Sequence, residues 1–262
     1  MLLENKNIVI TGASSGIGEQ VAKKAASFGA RPILIARSIN KMKKIAEDIY
    51  EESGINAPYY SCDIGKRDEV ERTFQQILRE NEHIDVLVNN AGYGIFEEFS
   101  DASIENIEGM FQVNVIGLMA CTKAVLPMMT EQNRGHIINI ASQAGKIATP
   151  KSSVYSATKH AVLGFSNSLR MELKHTNIAV STVNPGPVQT NFFHRADKSG
   201  SYVKNVEKFL LSPDKVASRI IQLMLKPKRE VNMPYWMDIG SKLYVLFPAA
   251  AEKIAGKLLD RK

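Results

Sequence analysis

A chain of 262 residues, 44% hydrophobic and 23% charged, is too apolar for a disordered or fibrous protein. Its length suits one large α/β domain, a class that reaches ~250 residues around a single sheet. The 33 Lys and Arg against 27 Asp and Glu leave a formal net charge of +6, which serves either solubility or an anionic ligand and does not separate the two. Cys62 and Cys121 have no CxxC spacing and no clustered His, which argues against a disulfide framework or a zinc site and fits a reducing compartment. The N-terminus lacks the apolar stretch of a secretory signal, no run of ~18 apolar residues is evident, and no feature points to nucleic acid, so a cytoplasmic chain without a spanning helix is expected.

Short β-branched runs alternate with segments of helical period. Asn7–Ile10 is a strand, a glycine-rich turn follows, and Ile17, Val21, Ala25 and Phe28 recur at helix spacing. Ile33–Ala36 is a second strand, with Ile39, Met42, Ile45, Ala46 and Ile49 marking the apolar face of the next helix. Tyr59–Cys62 is a third strand, and Val70, Phe74, Ile77 and Leu78 stripe the helix after it. Asp85–Val88 is a fourth, leading into Asn89-Asn90-Ala91-Gly92. A long helix is predicted from about Ile104 to Met129, then a strand at His136–Ile140, a helix at Val154–Lys174 and a strand at Ile178–Val183. Strands apolar throughout, alternating with helices, predict a doubly wound parallel sheet covered on both faces. The division expected is a core over residues 1–190 and, over 191–262, a loop and helical extension of the same domain. Residues 191–211 are mixed polar and aromatic, either a substrate-covering loop or a surface excursion. A helix restarts at Ser212, a capping residue, with Pro213 at its first position and Val216, Ile220, Leu223 and Met224 on its apolar face.

The turn Thr11-Gly12-Ala13-Ser14-Ser15-Gly16-Ile17-Gly18 joins the first strand to the first helix. Glycines there permit unusual φ values and let the backbone approach a pyrophosphate, while the helix N-terminus offers unpaired N–H groups. The plainer reading is a tight turn with close helix–sheet packing. At the end of the second strand an acidic residue would hold free ribose hydroxyls; this chain has Ala36-Arg37-Ser38 instead. Arg37, assisted by Ser38, suits a 2′-phosphate, so NADP(H) is preferred over NAD(H), unless Arg37 is simply a surface residue.

Tyr155 and Lys159 stand at i, i+4, on one helical face one turn apart. A free tyrosine, with pKa ~10, donates protons poorly at neutral pH, and a neighbouring ammonium would lower that value. The pair then acts as a general acid/base. Ser142, at the end of a strand and thirteen residues earlier, can donate to a carbonyl oxygen as charge develops. Asn114 sits inside an apolar helix and needs a partner, a neighbouring helix or an ordered water. No GxSxG elbow surrounds Ser142, which leaves a serine-hydrolase reading little support.

These motifs, in order from Asn7 to about Thr190, resemble the short-chain dehydrogenase/reductase family. The matching elements are the glycine turn, Asp63 after the third strand, Asn89-Asn90-Ala91-Gly92, the tetrad Asn114, Ser142, Tyr155 and Lys159, and Pro185-Gly186 through Thr190. The resemblance implies hydride transfer between the dinucleotide and a carbonyl, with Tyr155 protonating the oxygen, Ser142 holding it, Lys159 on the nicotinamide ribose and Asn114 positioning a water that reaches Lys159. It implies that Asp63 contacts adenine, that Asn90 lies near the adenine ribose, and that Val188 and Thr190 meet the carboxamide end. Family members using NADP(H) carry a base at the Arg37 position; some also carry one at the Ser15 position, which this chain lacks. The dinucleotide contacts expected are therefore Gly12, Ser14, Ser15, Gly16, Ile17, Gly18, Arg37, Ser38, Asp63, Ile64, Asn90, Ala91, Gly92, Tyr155, Lys159, Pro185, Gly186, Val188 and Thr190. No metal is required, since the cofactor carries the hydride. On local grounds Asp63 could instead cap the following helix, Asn89 satisfy loop backbone, and His160, about 100° round the helix from Lys159, be structural.

The loops at the strand ends offer Tyr93, Phe96, Gln143, Ala144, Pro150, Pro187, Phe192 and Phe193, an apolar set suited to a hydrophobic carbonyl or alcohol. In the tail, Ala251, Ile254, Ala255 and Leu258 share a helical face, with Lys253, Lys257 and Lys262 among the polar positions. Packing on the domain or on another subunit is favoured over an anionic membrane surface. The resemblance implies a homodimer or homotetramer. The rival to an NADP(H)-dependent reductase is a catalytically silent dinucleotide-binding regulator or scaffold; an epimerase or dehydratase would need more sequence after Thr190.

Overall fold

Seven parallel strands are hydrogen-bonded in the order β3-β2-β1-β4-β5-β6-β7. In this computed structural model, which describes residues 2–197, 200–249 and 253, they are β1 (Asn7–Thr11), β2 (Arg31–Ala36), β3 (Tyr59–Ser61), β4 (Val86–Asn89), β5 (Gly135–Ile140), β6 (Ile178–Pro185) and β7 (Glu230–Met233). Parallel neighbours need crossovers, and helices supply them: α1 (Gly16–Ser27), α2 (Ile39–Ser53), α3 (Arg67–Glu80), α4 (Ile104–Phe111), α5 (Leu118–Glu131), α6 (Ser153–Glu172) and α9 (Pro213–Leu225). The short helices α7 (Phe192–Ala196) and α8 (Ser201–Val206) precede α9, and α10 (Tyr235–Leu246) follows β7.

Side chains alternate across each strand, and here both faces are buried. Ile8, Ile10 and Leu34 join Val21 of α1, Met42 of α2 and Ile220 of α9 on one side. Val9, Ile33 and Ile35 join Phe74 of α3 and Val125 of α5 on the other. The doubly wound sheet expected from the sequence is thus present. Ser212 caps α9, accepting from the Lys215 N–H at 3.2 Å, with Pro213 in the first turn.

Three features depart from expectation. The helix predicted from Ile104 to Met129 contains a wider turn, with i→i+5 hydrogen bonding, over Gln112–Gly117. Asn114 lies inside that turn and bonds to both backbone groups of Tyr93, as such insertions often do near functional positions. The segment Ile104–Glu131 is also long and apolar enough to cross a membrane, against the expected absence of such a helix. In this fold it is a core helix: Cys121, Val125 and Met129 are buried against the sheet with Ile137. Finally, β7 has no counterpart in the sequence reading. Among the described residues it pairs with β6 alone, and the half-polar run Glu230-Val231-Asn232-Met233 has no continuous apolar signature.

Candidate active site

Chain order reverses between β1 and β4, and a crevice opens there at the carboxyl edge of the sheet. A cleft of about 1310 Å³ runs from this point across the ends of β5 and β6.

Its floor is the turn after β1. Gly12 and Gly16 adopt φ of +67° and +61°, and a Cβ on Gly12 would stand 2.8 Å from the Ala91 Cα. The Asn90 side chain holds this turn, donating to Thr11 O at 2.9 Å and Gly12 O at 3.2 Å. The Thr11 hydroxyl accepts from the N–H groups of Asn90 and Ala91 at 3.0 and 3.1 Å. Ser15, which opens α1, makes no side-chain capping bond, so the first helical N–H groups face the cleft without a side-chain acceptor. Ser14, Ile17, Ala91 and Gly92 line the same floor. Gly18 does not. It packs behind the turn, where a Cβ would collide with Gly12 O and approach Asn90 Nδ2. Asn90 therefore acts on the turn itself, a role local sequence reading did not find.

Arg37 and Ser38 lie at the far end, where Arg37 is exposed and the Ser38 hydroxyl makes no capping bond to α2. Lys41, one turn into α2, lines the same end; its i+4 spacing from Arg37 was a signal that sequence reading passed over. Asp63 and Ile64 also line it. Asp63 does not cap α3, whose N-cap is Lys66. Its carboxylate accepts from Gly65 N at 3.0 Å, and its own N–H donates to the Glu69 carboxylate at 2.8 Å, three residues ahead of the cap position. Asn89 serves no loop backbone either. It is buried in β4, donating to Thr122 of α5 and Asn139 of β5 at 2.9 Å each, and Asn139 donates on to Ser166 of α6.

At the centre, Tyr155 and Lys159 project from the first two turns of α6, both buried. Ser142 lies two residues past the end of β5; its hydroxyl accepts from Ala144 N at 3.1 Å and donates to Pro185 O at 3.4 Å. Burial pushes the Tyr155 phenol above its ordinary range, opposed by a hydrogen bond with Ser142. Burial pushes the Lys159 ammonium down to about 8. The lowering of the phenol expected from Lys159 is not what governs it. The ammonium sits 5.7 Å from the ring centroid and donates to Ile140 O at 2.9 Å, too far and too engaged to offset desolvation.

Asn114, 1% exposed, does not line the cleft. Its oxygen accepts from Tyr93 N at 3.0 Å, and its amide donates to Tyr93 O at 2.8 Å and Thr158 Oγ1 at 3.1 Å. Its partners are thus a neighbouring helix and the loop backbone after β4, and it fixes the path of that loop past Lys159. His160 bonds the Ser156 carbonyl of its own helix, as a structural residue would.

The opposite wall is aromatic. Phe96, Tyr155, Phe192, Phe193 and Tyr202 form a connected cluster with centroid distances of 4.9–6.5 Å. Residues 191–211 supply three of these rings, from α7 and α8, and so wall the cleft. Of the expected substrate-side residues, Tyr93, Phe96, Ala144, Pro187, Phe192 and Phe193 line it. Pro150 is exposed outside it, and Gln143 lines it while its amide donates to Asn184 O at 2.8 Å. Tyr202, from the 191–211 segment, lines it too; sequence reading did not place Ile147, Arg195, Trp236 and Met237 there. Pro185, Gly186, Val188 and Thr190 complete the rim, with the Thr190 methyl 3.0 Å from where a Gly16 Cβ would stand. Of the tail face, Ala251, Ile254, Ala255, Leu258, Lys257 and Lys262 lie outside the described residues.

Comparison with known proteins converges on one family. The family model for short chain dehydrogenases matches residues 6–200. A Drosophila melanogaster dehydrogenase/reductase SDR family protein 7-like is 33% identical over 248 residues, 92% of this chain and 75% of that protein. A serine dehydrogenase solved in its closed form with NADP+ is 32% identical with a TM-score of 0.79, covering 87% of this chain and 94% of that one. A 3-ketoacyl-(acyl-carrier-protein) reductase from Brucella melitensis, solved with NADH, is 26% identical with a TM-score of 0.79, covering 88% and 97%. The chain belongs to the short-chain dehydrogenase family of nicotinamide-dependent oxidoreductases.

Proposed function

We propose that the protein interconverts carbonyl compounds and alcohols with NADP(H), using Tyr155 as the general acid/base. The observation that carries this reading is a buried phenol one turn from a buried ammonium, in the same cleft as the Ser142 hydroxyl and a glycine turn with open helix N–H groups. The cradle fits a dinucleotide. Gly12 and Gly16 clear the backbone for a pyrophosphate, and Arg37, Lys41 and Ser38 offer cationic and hydroxyl donors to a 2′-phosphate.

When bound, the cofactor supplies or accepts the hydride. The chain's own residues handle the oxygen and its proton. The substrate oxygen is received between the hydroxyls of Ser142 and Tyr155, and Tyr155 donates its proton as negative charge develops there. Lys159, anchored on Ile140 O, keeps its remaining N–H donors for ribose hydroxyls. Asn114 positions Tyr93 and, through Thr158, the first turns of α6. The aromatic wall excludes water from the reacting atoms and takes an apolar substrate body.

Tyr155→Phe tests the reading. It removes one hydroxyl, and turnover of ketones and aldehydes with NADPH should fall by about 10³ while NADPH affinity, read by fluorescence titration, holds. Unchanged turnover removes Tyr155 from the chemistry. Arg37→Glu tests the cofactor: the KM for NADPH should rise by about tenfold or more relative to NADH, and unchanged discrimination removes Arg37 from that role.

A further inference from the structure

Arg195 is the only charged residue besides Lys159 among the described residues lining the aromatic half of the cleft. It is exposed at the rim, on α7, and its guanidinium carbon lies 3.5 Å from the centroid of the Tyr93 ring. A contact this close occupies one face of the guanidinium and leaves its N–H edges free at the sides. No ion pair or hydrogen bond to the Arg195 guanidinium is recorded among the described residues. The platform beneath it is itself fixed, since Asn114 holds both backbone groups of Tyr93. The next residue, Gly94, approaches both Tyr155 and Phe192, where a Cβ would stand 3.0 Å from Tyr155 Cδ2 and 2.9 Å from Phe192 Cζ. One short loop thus connects the reacting phenol, the apolar wall and a stacked cation at the mouth.

We infer that the substrate carries an anionic group, a carboxylate or an equivalent oxyanion, joined by an apolar body to the reacting carbonyl, and that Arg195 binds it as a specificity-determining residue. The inference rests on the reading of the cleft given above. Phe96, Phe192, Phe193 and Tyr202 cover the apolar body, and the free edge of the guanidinium makes paired charge-assisted hydrogen bonds to the anion. An uncharged substrate of the same length would leave that edge to water and gain nothing from it.

Trp236 is the only tryptophan in the chain and lines the same cleft, so ligand entry can be followed by its fluorescence without any turnover. Decanoate and decanol, titrated into the full-length protein with NADP+ present, share an apolar body and differ in charge. Wild type should bind decanoate about tenfold more tightly than decanol. Arg195→Gln should level that preference, and Arg195→Lys, which keeps the charge and loses the planar fork, should restore part of it. In turnover, straight-chain keto acids should show lower KM than their methyl esters, and the difference should shrink in Arg195→Gln with kcat moving less than KM. Equal binding of decanoate and decanol by wild type, or a preference that survives Arg195→Gln, overturns the inference. A protein that reduces no carbonyl yet shows the Arg195-dependent preference would sink the proposed activity and leave the anion site standing.

Discussion

The two ends of the cleft are built by different forces. At the dinucleotide end, positions are set by directional bonds between close neighbours: Asn90 on the carbonyls of Thr11 and Gly12, the Thr11 hydroxyl on two N–H groups, and the buried Thr122–Asn89–Asn139–Ser166 chain beneath. At the substrate end, rings from the loop after β4, from α6, from α7 and from α8 meet edge to face, and dispersion and apolar burial hold them. Hydrogen bonds tolerate little displacement, whereas apolar contacts are non-directional and repack at small cost when volume is kept. The first end therefore holds one ligand in one pose. The second can accommodate a family of apolar shapes.

Several perturbations sharpen that contrast. The largest effect belongs to Tyr155, where the two ends meet. Its loss to Phe should cost about 10³ in kcat, roughly 4 kcal/mol of barrier, and leave ligand binding at both ends intact. Because burial raises the phenol, it stays protonated through neutral pH. Carbonyl reduction should therefore hold up there, while alcohol oxidation, which needs the phenolate, should climb as pH rises into the alkaline range. Initial rates in both directions across pH test this, and parallel profiles would contradict it.

Next in size is a buried imidazole at the amino end of β5, on the sheet edge opposite the cleft. His136, buried in β5 against Ser181 at 2.8 Å, is pushed down to about 4 by burial alone. The unfolded chain, with an imidazole near 6.5, binds more protons than the native state between those values. The stability this neutral imidazole contributes is thus complete above about pH 6.5 and is lost as pH falls toward 4, by about 3 kcal/mol at most. Urea melts at neutral and acidic pH should show the loss, and His136→Asn should flatten it.

Gly12→Ala forces a side chain into a left-handed conformation against the Ala91 Cα. It should cost about 1–3 kcal/mol, read as weaker NADPH binding and a lower melting temperature, with decanoate binding little changed. Phe192→Leu is the smallest. A shape change in the apolar wall should move substrate KM by less than about tenfold and leave NADPH affinity alone. A larger effect of Phe192→Leu than of Gly12→Ala on NADPH binding would erase the distinction between the two ends.

Much of this was legible before any coordinates. The five inner strands are legible because a strand covered on both faces is mostly apolar, as Ile33-Leu34-Ile35 is, and the edge strand β3 is legible from its β-prone Tyr59-Tyr60 pair. The other edge strand, β7, is not, because Glu230 and Asn232 interrupt its apolar pattern and join a polar cluster with Lys146 and Asn184. The glycine turn, Tyr155, Lys159 and Ser142 were readable because their spacing along helix and strand repeats local geometry. The contacts of Asn90, Gly18 and Asn114 that hold other parts of the protein in place were not legible, because they join residues far apart in the chain.

What the amino-acid order determined alone was periodic: which segments are strands or helices, and which side chains share a face one turn apart. Such facts depend on neighbours within a few residues, whose geometry the backbone repeats everywhere. What only the folded chain decided was non-local and electrostatic. The sheet edge brings Arg195 onto Tyr93, places Trp236 at the cleft mouth, and buries Tyr155 deeply enough that desolvation outweighs the cation beside it. Burial and contact across a hundred residues of chain have no period, so no pattern in the sequence can report them.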